Sequence, residues 1–114
     1  MTRVKRGVIS HKRREKTLKY AKGFRWGRKS KERSAREALL HAWPHAFVGR
    51  KLRKRDFRRL WQTKINAASR ANGLSYGKFM AGLKNKNVAL DRKILAELSQ
   101  NHPTVFKEIV EFTK

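Results

Sequence analysis

Apolar residues recur at intervals of three and four through the second half of the chain. Tyr76, Phe79, Met80 and Leu83 form one set, Ile94, Leu95 and Leu98 a second, and Val105, Phe106, Ile109 and Val110 a third. That spacing places each set on one face of an α-helix. Leu60, Trp61, Ile65 and Ala68 supply a further apolar set, so the pattern predicts a small four-helix core. Ser75 and Asp91 stand where N-caps belong, and Pro103 suits a first helical turn. No stretch alternates apolar and polar residues for long enough to predict a strand.

The first half has fewer apolar positions but is also helical in pattern. A first helix is expected over about residues 8–22, ended by Gly23. Ser34 and Glu37 have the spacing of a capping box, with Ser34 as the N-cap. A long basic helix starts there, or a little earlier near Ser30, and runs to Asn72, where Gly73 is a natural left-handed stop. Pro44 removes a backbone donor and its ring meets the carbonyl of Leu40, while Gly49 weakens the helix again, so a bend is expected over 43–50. The fold class expected is all-α: a long basic helical extension over residues 1–59, then a small helical globular domain over 60–114.

Charge separates these two parts. Of 114 residues, 31 are Lys or Arg and 8 are Asp or Glu, a formal net charge of +23. Residues 1–59 hold 22 of the basic residues against 4 acids, and residues 60–114 hold 9 against 4. A compact chain with this imbalance repels itself unless a polyanion neutralises it, which points to nucleic acid. The basic half has too few apolar residues to fold as a globule, so its ordering is expected to follow the ligand. A globular part of roughly 55 residues is near the lower limit for independent folding.

The densest clusters are Lys12-Arg13-Arg14, Arg25-Trp26-Gly27-Arg28-Lys29 and Arg50-Lys51-Leu52-Arg53-Lys54-Arg55, the last extended by Arg58 and Arg59. With Arg3, Lys5, Arg6, Lys19, Lys22, Arg33 and Arg36, their cations and Trp26 make up the candidate RNA-binding set. On a helix, residues 50–59 carry positive charge around most of the circumference. That suits a helix surrounded by phosphates better than one lying along a single face of a duplex. Phe24 and Trp26 flank Arg25 between Gly23 and Gly27, and either ring could stack on an unpaired base or pack locally.

Other chemistry is excluded or weakly supported. There is no cysteine, hence no disulfide, thiolate metal site or cysteine nucleophile. His41 and His45 stand four apart, but no third ligand is positioned near them, so no metal is expected. The segment Gly23 to Ser30 lacks the spacing and the preceding strand of a phosphate-binding loop. Paired catalytic carboxylates and a nucleophile elbow are both missing, and Asp56 lies where local ion pairs with arginines are expected. No enzyme activity, cofactor or small-molecule substrate is expected. No run approaches a membrane span, and Met1 to Gly7 is basic without the apolar stretch of a signal peptide. A DNA-compacting protein shares the charge, but a helix-turn-helix protein would concentrate it on one recognition helix. A membrane-active peptide would need an apolar face that residues 1–33 do not offer.

Several segments have a recognisable order and spacing. They are Val4-Lys5-Arg6-Gly7, Lys54-Arg55-Asp56-Phe57-Arg58-Arg59-Leu60-Trp61, Lys64-Ile65-Asn66-Ala67-Ala68-Ser69-Arg70, Asn72-Gly73-Leu74-Ser75-Tyr76 with Phe79, and Asp91-Arg92-Lys93-Ile94-Leu95-Ala96. Together they resemble the bacterial-type large-subunit ribosomal protein number twenty family over nearly the whole chain. The resemblance implies a basic helical extension that penetrates large-subunit ribosomal RNA and a small helical domain nearer the surface. It implies direct binding of that RNA and a role in early subunit assembly, without a part in peptidyl transfer. Neighbouring large-subunit ribosomal proteins are the other partners implied, and the location implied is the cytoplasmic ribosome, or an organellar one for an organelle-encoded chain. Some members repress translation of their own messenger RNA. By position, the resemblance supports RNA contact at Lys5 and Arg6 and along Lys54 to Arg59. The chain departs from the family pattern at Phe47-Val48-Gly49-Arg50, where a Tyr-Arg-Asp-Arg-like sequence is usual, and at Pro44.

Overall fold

The computed structural model describes Arg3 and residues 5–113; Val4 of the N-terminal motif lies outside the described residues. Five α-helices follow one another: α1 (Arg6–Tyr20), α2 (Glu32–Ala71), α3 (Tyr76–Asn85), α4 (Arg92–Asn101) and α5 (Pro103–Thr113), with a short 3-10 turn at Trp26–Lys29. There is no strand among the described residues, and the chain is all-α. It divides into two compact units, Met1–Arg50 and Lys51–Lys114.

In the first unit, α1 ends before Gly23, whose φ of +89° turns the chain back in a conformation that costs glycine little. The returning chain buries Ala21 against Ala35 and Leu39, with Leu18 and Phe24 packed around them. The hydrophobic pattern does not foretell this small cluster, because two of its three buried members are alanines that mark no periodicity of their own. Arg14 adds a hydrogen bond from its guanidinium to the Ser30 carbonyl at 3.3 Å.

The start of α2 differs from the capping-box expectation. The Gly27 carbonyl accepts from both the Ser30 and Lys31 amides, and the Ala35 amide already donates to the Lys31 carbonyl at 2.9 Å. The 3-10 turn therefore hands the chain into the helix at Glu32, and Ser34 is too far inside to cap it. Glu32 in the first turn complements the positive end of the helix dipole. Pro44 lies inside α2, which continues on both sides of it through Gly49.

The second unit holds the larger core. Ile65 from α2, Phe79 and Leu83 from α3, Leu95 and Ala96 from α4, and Phe106 and Val110 from α5 are all buried together. The Phe79 and Phe106 rings meet at 5.4 Å in a tilted arrangement. Trp61, Ala68 and Tyr76 pack against this core half-buried. Leu60 does not, being 46% exposed. It precedes Ile65 by five residues and so lies about 140° away around the helix, whereas Trp61, Ile65 and Ala68 share one face. Ile94 and Val105 are likewise exposed at the edges of their apolar faces.

Backbone ends are closed locally. The Leu74 amide donates to the Ser69 carbonyl and the Gly73 amide to the Arg70 carbonyl, both at 2.9 Å, with Gly73 at φ +81°. This is a Schellman close of α2 that turns Leu74 into the core. Asn87, at φ +55°, closes α3 in the same way through Val88 and Leu83. Asp91 caps α4, its carboxylate accepting from the Ile94 amide at 2.8 Å. Ser75 occupies the N-cap of α3 without a side-chain hydrogen bond.

Candidate nucleic-acid interface

Every residue of the candidate RNA-binding set is exposed. Arg3 and Lys5 precede α1, which carries Arg6, Lys12, Arg13, Arg14 and Lys19. Lys22 and Arg25 lie in the turn after it, and Trp26, Arg28 and Lys29 in the 3-10 turn. Arg33, Arg36, Arg50, Lys51, Arg53, Lys54, Arg55, Arg58 and Arg59 are on α2.

The helix segment from 43 to 60 has no buried residue on any side, which is about five turns of bare helix. Within the second unit, Lys51 to Arg59 carries its charge around most of that surface. Arg53 is held partly in place: its guanidinium sits 5.7 Å from the centre of the Phe57 ring, and Phe57 in turn leans on Trp61 at 6.2 Å. A cation arranged over an aromatic ring loses less freedom when it meets a phosphate.

Acids neutralise little of this surface. Asp56 pairs with Arg59 at 3.8 Å and Glu15 with His11 at 3.0 Å, all of them exposed. Among the described residues, Glu32 and Glu37 make no ion pair. Exposed pairs of this kind contribute little to stability, so the positive field is left almost whole for a ligand.

The first unit gathers part of the candidate set around surface depressions, two of which are lined by aromatic rings. Arg25, Trp26 and Arg28 line an open cleft of about 700 Å³ with Lys31, Ser34, Glu37 and His41. Trp26 is 84% exposed, whereas Phe24, the other ring of the pair, is half-buried against the Ala21 cluster. Arg13 and Arg36 line a second depression of about 430 Å³ beside Tyr20 and Trp43, whose rings meet edge to face at 5.8 Å. Lys16, Lys31, Tyr20 and Trp43 lie outside the candidate set. Tyr20 and Trp43 are far apart in sequence, and only the fold brings them together; Lys16 and Lys31 differ from their neighbours in the set in nothing the sequence shows.

Among the described residues, no three potential metal ligands come together, and His41 and His45 are both exposed. No helix of the described residues is long and apolar enough to cross a membrane.

An all-helical fold whose basic surface is left bare places the chain among the small basic helical proteins. Residues 3–109 match the family described as Ribosomal protein L20. The chain is 53% identical to the large ribosomal subunit protein bL20 of Alkaliphilus metalliredigens over all 114 residues, covering 96% of that protein. It is 48% identical to the bL20 protein of Clostridium botulinum over the same span, again with 96% of the relative covered. The chain belongs to the ribosomal protein L20 family. That family is a structural component of the ribosome, and the chain is not an enzyme.

Proposed function

We propose that this chain is a structural constituent of the large ribosomal subunit that binds large-subunit ribosomal RNA directly and promotes early assembly of the subunit. Residues 1–59 act as the RNA-penetrating arm and residues 60–114 as the small domain that anchors it. Its partners are that RNA and the neighbouring large-subunit proteins, and its place is the cytoplasmic ribosome. The observation that carries the reading is the helix from 43 to 60, exposed on all sides and charged around most of its later turns. A helix with no buried residue gains little from packing within its own chain, and a cage of phosphates supplies what the chain itself does not.

The mechanism is electrostatic. Lysine and arginine neutralise phosphates where RNA segments converge, releasing condensed counterions as they do so. Arginine forks bind two acceptors at once and so can hold separate RNA strands together. The two relatives are named as proteins of the large subunit, which supports the same role here. The test is incorporation. A chain carrying Arg53→Glu, Lys54→Glu and Arg55→Glu is expected to be depleted from large subunits in a density gradient while residues 60–114 stay folded. Normal entry of the triple variant into subunits would overturn the reading.

A further inference from the structure

The cleft of the first unit contains a group that phosphate binding does not explain. Glu37 lines it together with Arg25, Arg28 and Lys31, yet among the described residues its carboxylate forms neither an ion pair nor a hydrogen bond. A carboxylate repels phosphate, so a cleft built for phosphate alone would be better without it. It can only accept, and it asks for a ligand that offers N–H donors.

Trp26 is the second unusual group. Its φ is +50°, a conformation that is an outlier for a bulky side chain. That backbone leaves the indole 84% exposed at the cleft and, among the described residues, without a ring partner. Sparsely populated backbone of this kind collects at ligand-binding positions. An indole face beside cations and a free carboxylate matches one ligand class: an unpaired nucleotide, with its base on the ring and its flanking phosphates on the cations. The cleft volume lies in the range of small-molecule sites.

We propose that this cleft takes an unpaired guanine of the bound RNA, stacked on Trp26 and read by Glu37. The inference rests on the RNA-binding role proposed above. Guanine is favoured because its N1–H and N2 amino group are adjacent donors that match the two oxygens of a carboxylate in a bidentate, charge-assisted pair. Adenine and cytosine place a ring-nitrogen acceptor beside their amino group. Uracil flanks its single N–H with two carbonyl oxygens. Both arrangements set acceptors against the carboxylate. Arg25, Arg28 and Lys31 then serve the phosphates on either side, and Ser34 lies in the same wall.

The test uses the full chain and short single-stranded oligouridylates carrying one central guanosine, one central inosine or neither, at about 0.2 M salt, where unspecific attachment is weakened. Guanosine is expected to bind about tenfold tighter than uridine, with inosine, which lacks the N2 amino group, between them. Glu37→Gln is expected to remove the preference while leaving affinity for plain oligouridylate intact or raised. Trp26→Ala is expected to weaken the guanosine oligonucleotide about tenfold. Equal binding of the three probes, or a guanosine preference that survives Glu37→Gln, would overturn the proposal. If that happens while the chain still selects large-subunit RNA over duplex DNA, the cleft reading falls and the RNA reading stands. If the selection is also missing, both fall.

Discussion

Gly82 in α3 and Thr113 at the end of α5 approach so closely that a Cβ on Gly82 would lie 2.6 Å from the Thr113 carbonyl oxygen and 2.9 Å from its Cβ. The obstacle includes backbone, which cannot swing aside like the end of a long side chain. Gly82→Ala is therefore expected to destabilise the protein by about 1–3 kcal/mol through overpacking. Gly77, also in α3, has nothing within 4 Å of the same added atom. Gly77→Ala is expected to stabilise by about 0.4–1 kcal/mol, since it only restricts the unfolded chain. Chemical denaturation of the two variants should give shifts of opposite sign.

The caps of α3 and α4 make a second contrast. Asp91 accepts from the Ile94 amide at 2.8 Å, whereas Ser75 makes no side-chain hydrogen bond at the equivalent position. Asp91→Ala should cost about 1 kcal/mol. Ser75→Ala should cost clearly less. Thermal melts of the two single variants, run side by side, check the difference.

Burial around the end of α2 makes a third. Ile65 is fully buried, and its truncation to alanine should cost about 2–5 kcal/mol. Leu60, 46% exposed, should tolerate the same change within about 0.5 kcal/mol. Equal destabilisation at the two positions would place Leu60 in a core that the structure keeps it out of.

Much of this architecture is legible in sequence where the cause is local. The apolar spacing around Phe79, Leu95 and Phe106 marks three helix faces, Asp91 and Pro103 mark where the last two of those helices start, and Gly73 marks the end of α2. Leu60 is where the pattern misleads, because adjacency to Trp61 suggests a shared face that the 100° step per residue denies. The Ser34 cap fails for another reason. The 3-10 turn at Trp26–Lys29 leads the chain into a helix that starts at Glu32, ahead of Ser34, and a short turn of that kind leaves no periodic trace. Within the candidate interface, cation density shows which residues are exposed. It does not show the cleft, which depends on how the turn and the start of α2 fold together. The division of labour between Phe24 and Trp26 is likewise invisible, since both are aromatic residues in one glycine-flanked run.

The helix from Lys51 to Arg59 sets the salt dependence expected of the complex. Removing one cation that meets a phosphate should lower the slope of log affinity against log salt by about 0.7–0.9. Replacing Arg53, Lys54 and Arg55 by alanine should then lower it by about 2–3 in total. Arg70→Ala, farther along α2 beyond this run and hydrogen-bonded to Asn66, gives the comparison and should change the slope less. Filter-binding titrations over a range of salt concentrations measure both.

The most direct test of the central claim is competition between large-subunit ribosomal RNA and duplex DNA of equal phosphate content, at about 0.2 M salt. If the bare helix and its surrounding cations are shaped for folded RNA, the ribosomal RNA should win by orders of magnitude. Equal competition would mean that the charge attaches to any polyanion without reading shape, and would contradict direct, specific binding of large-subunit RNA.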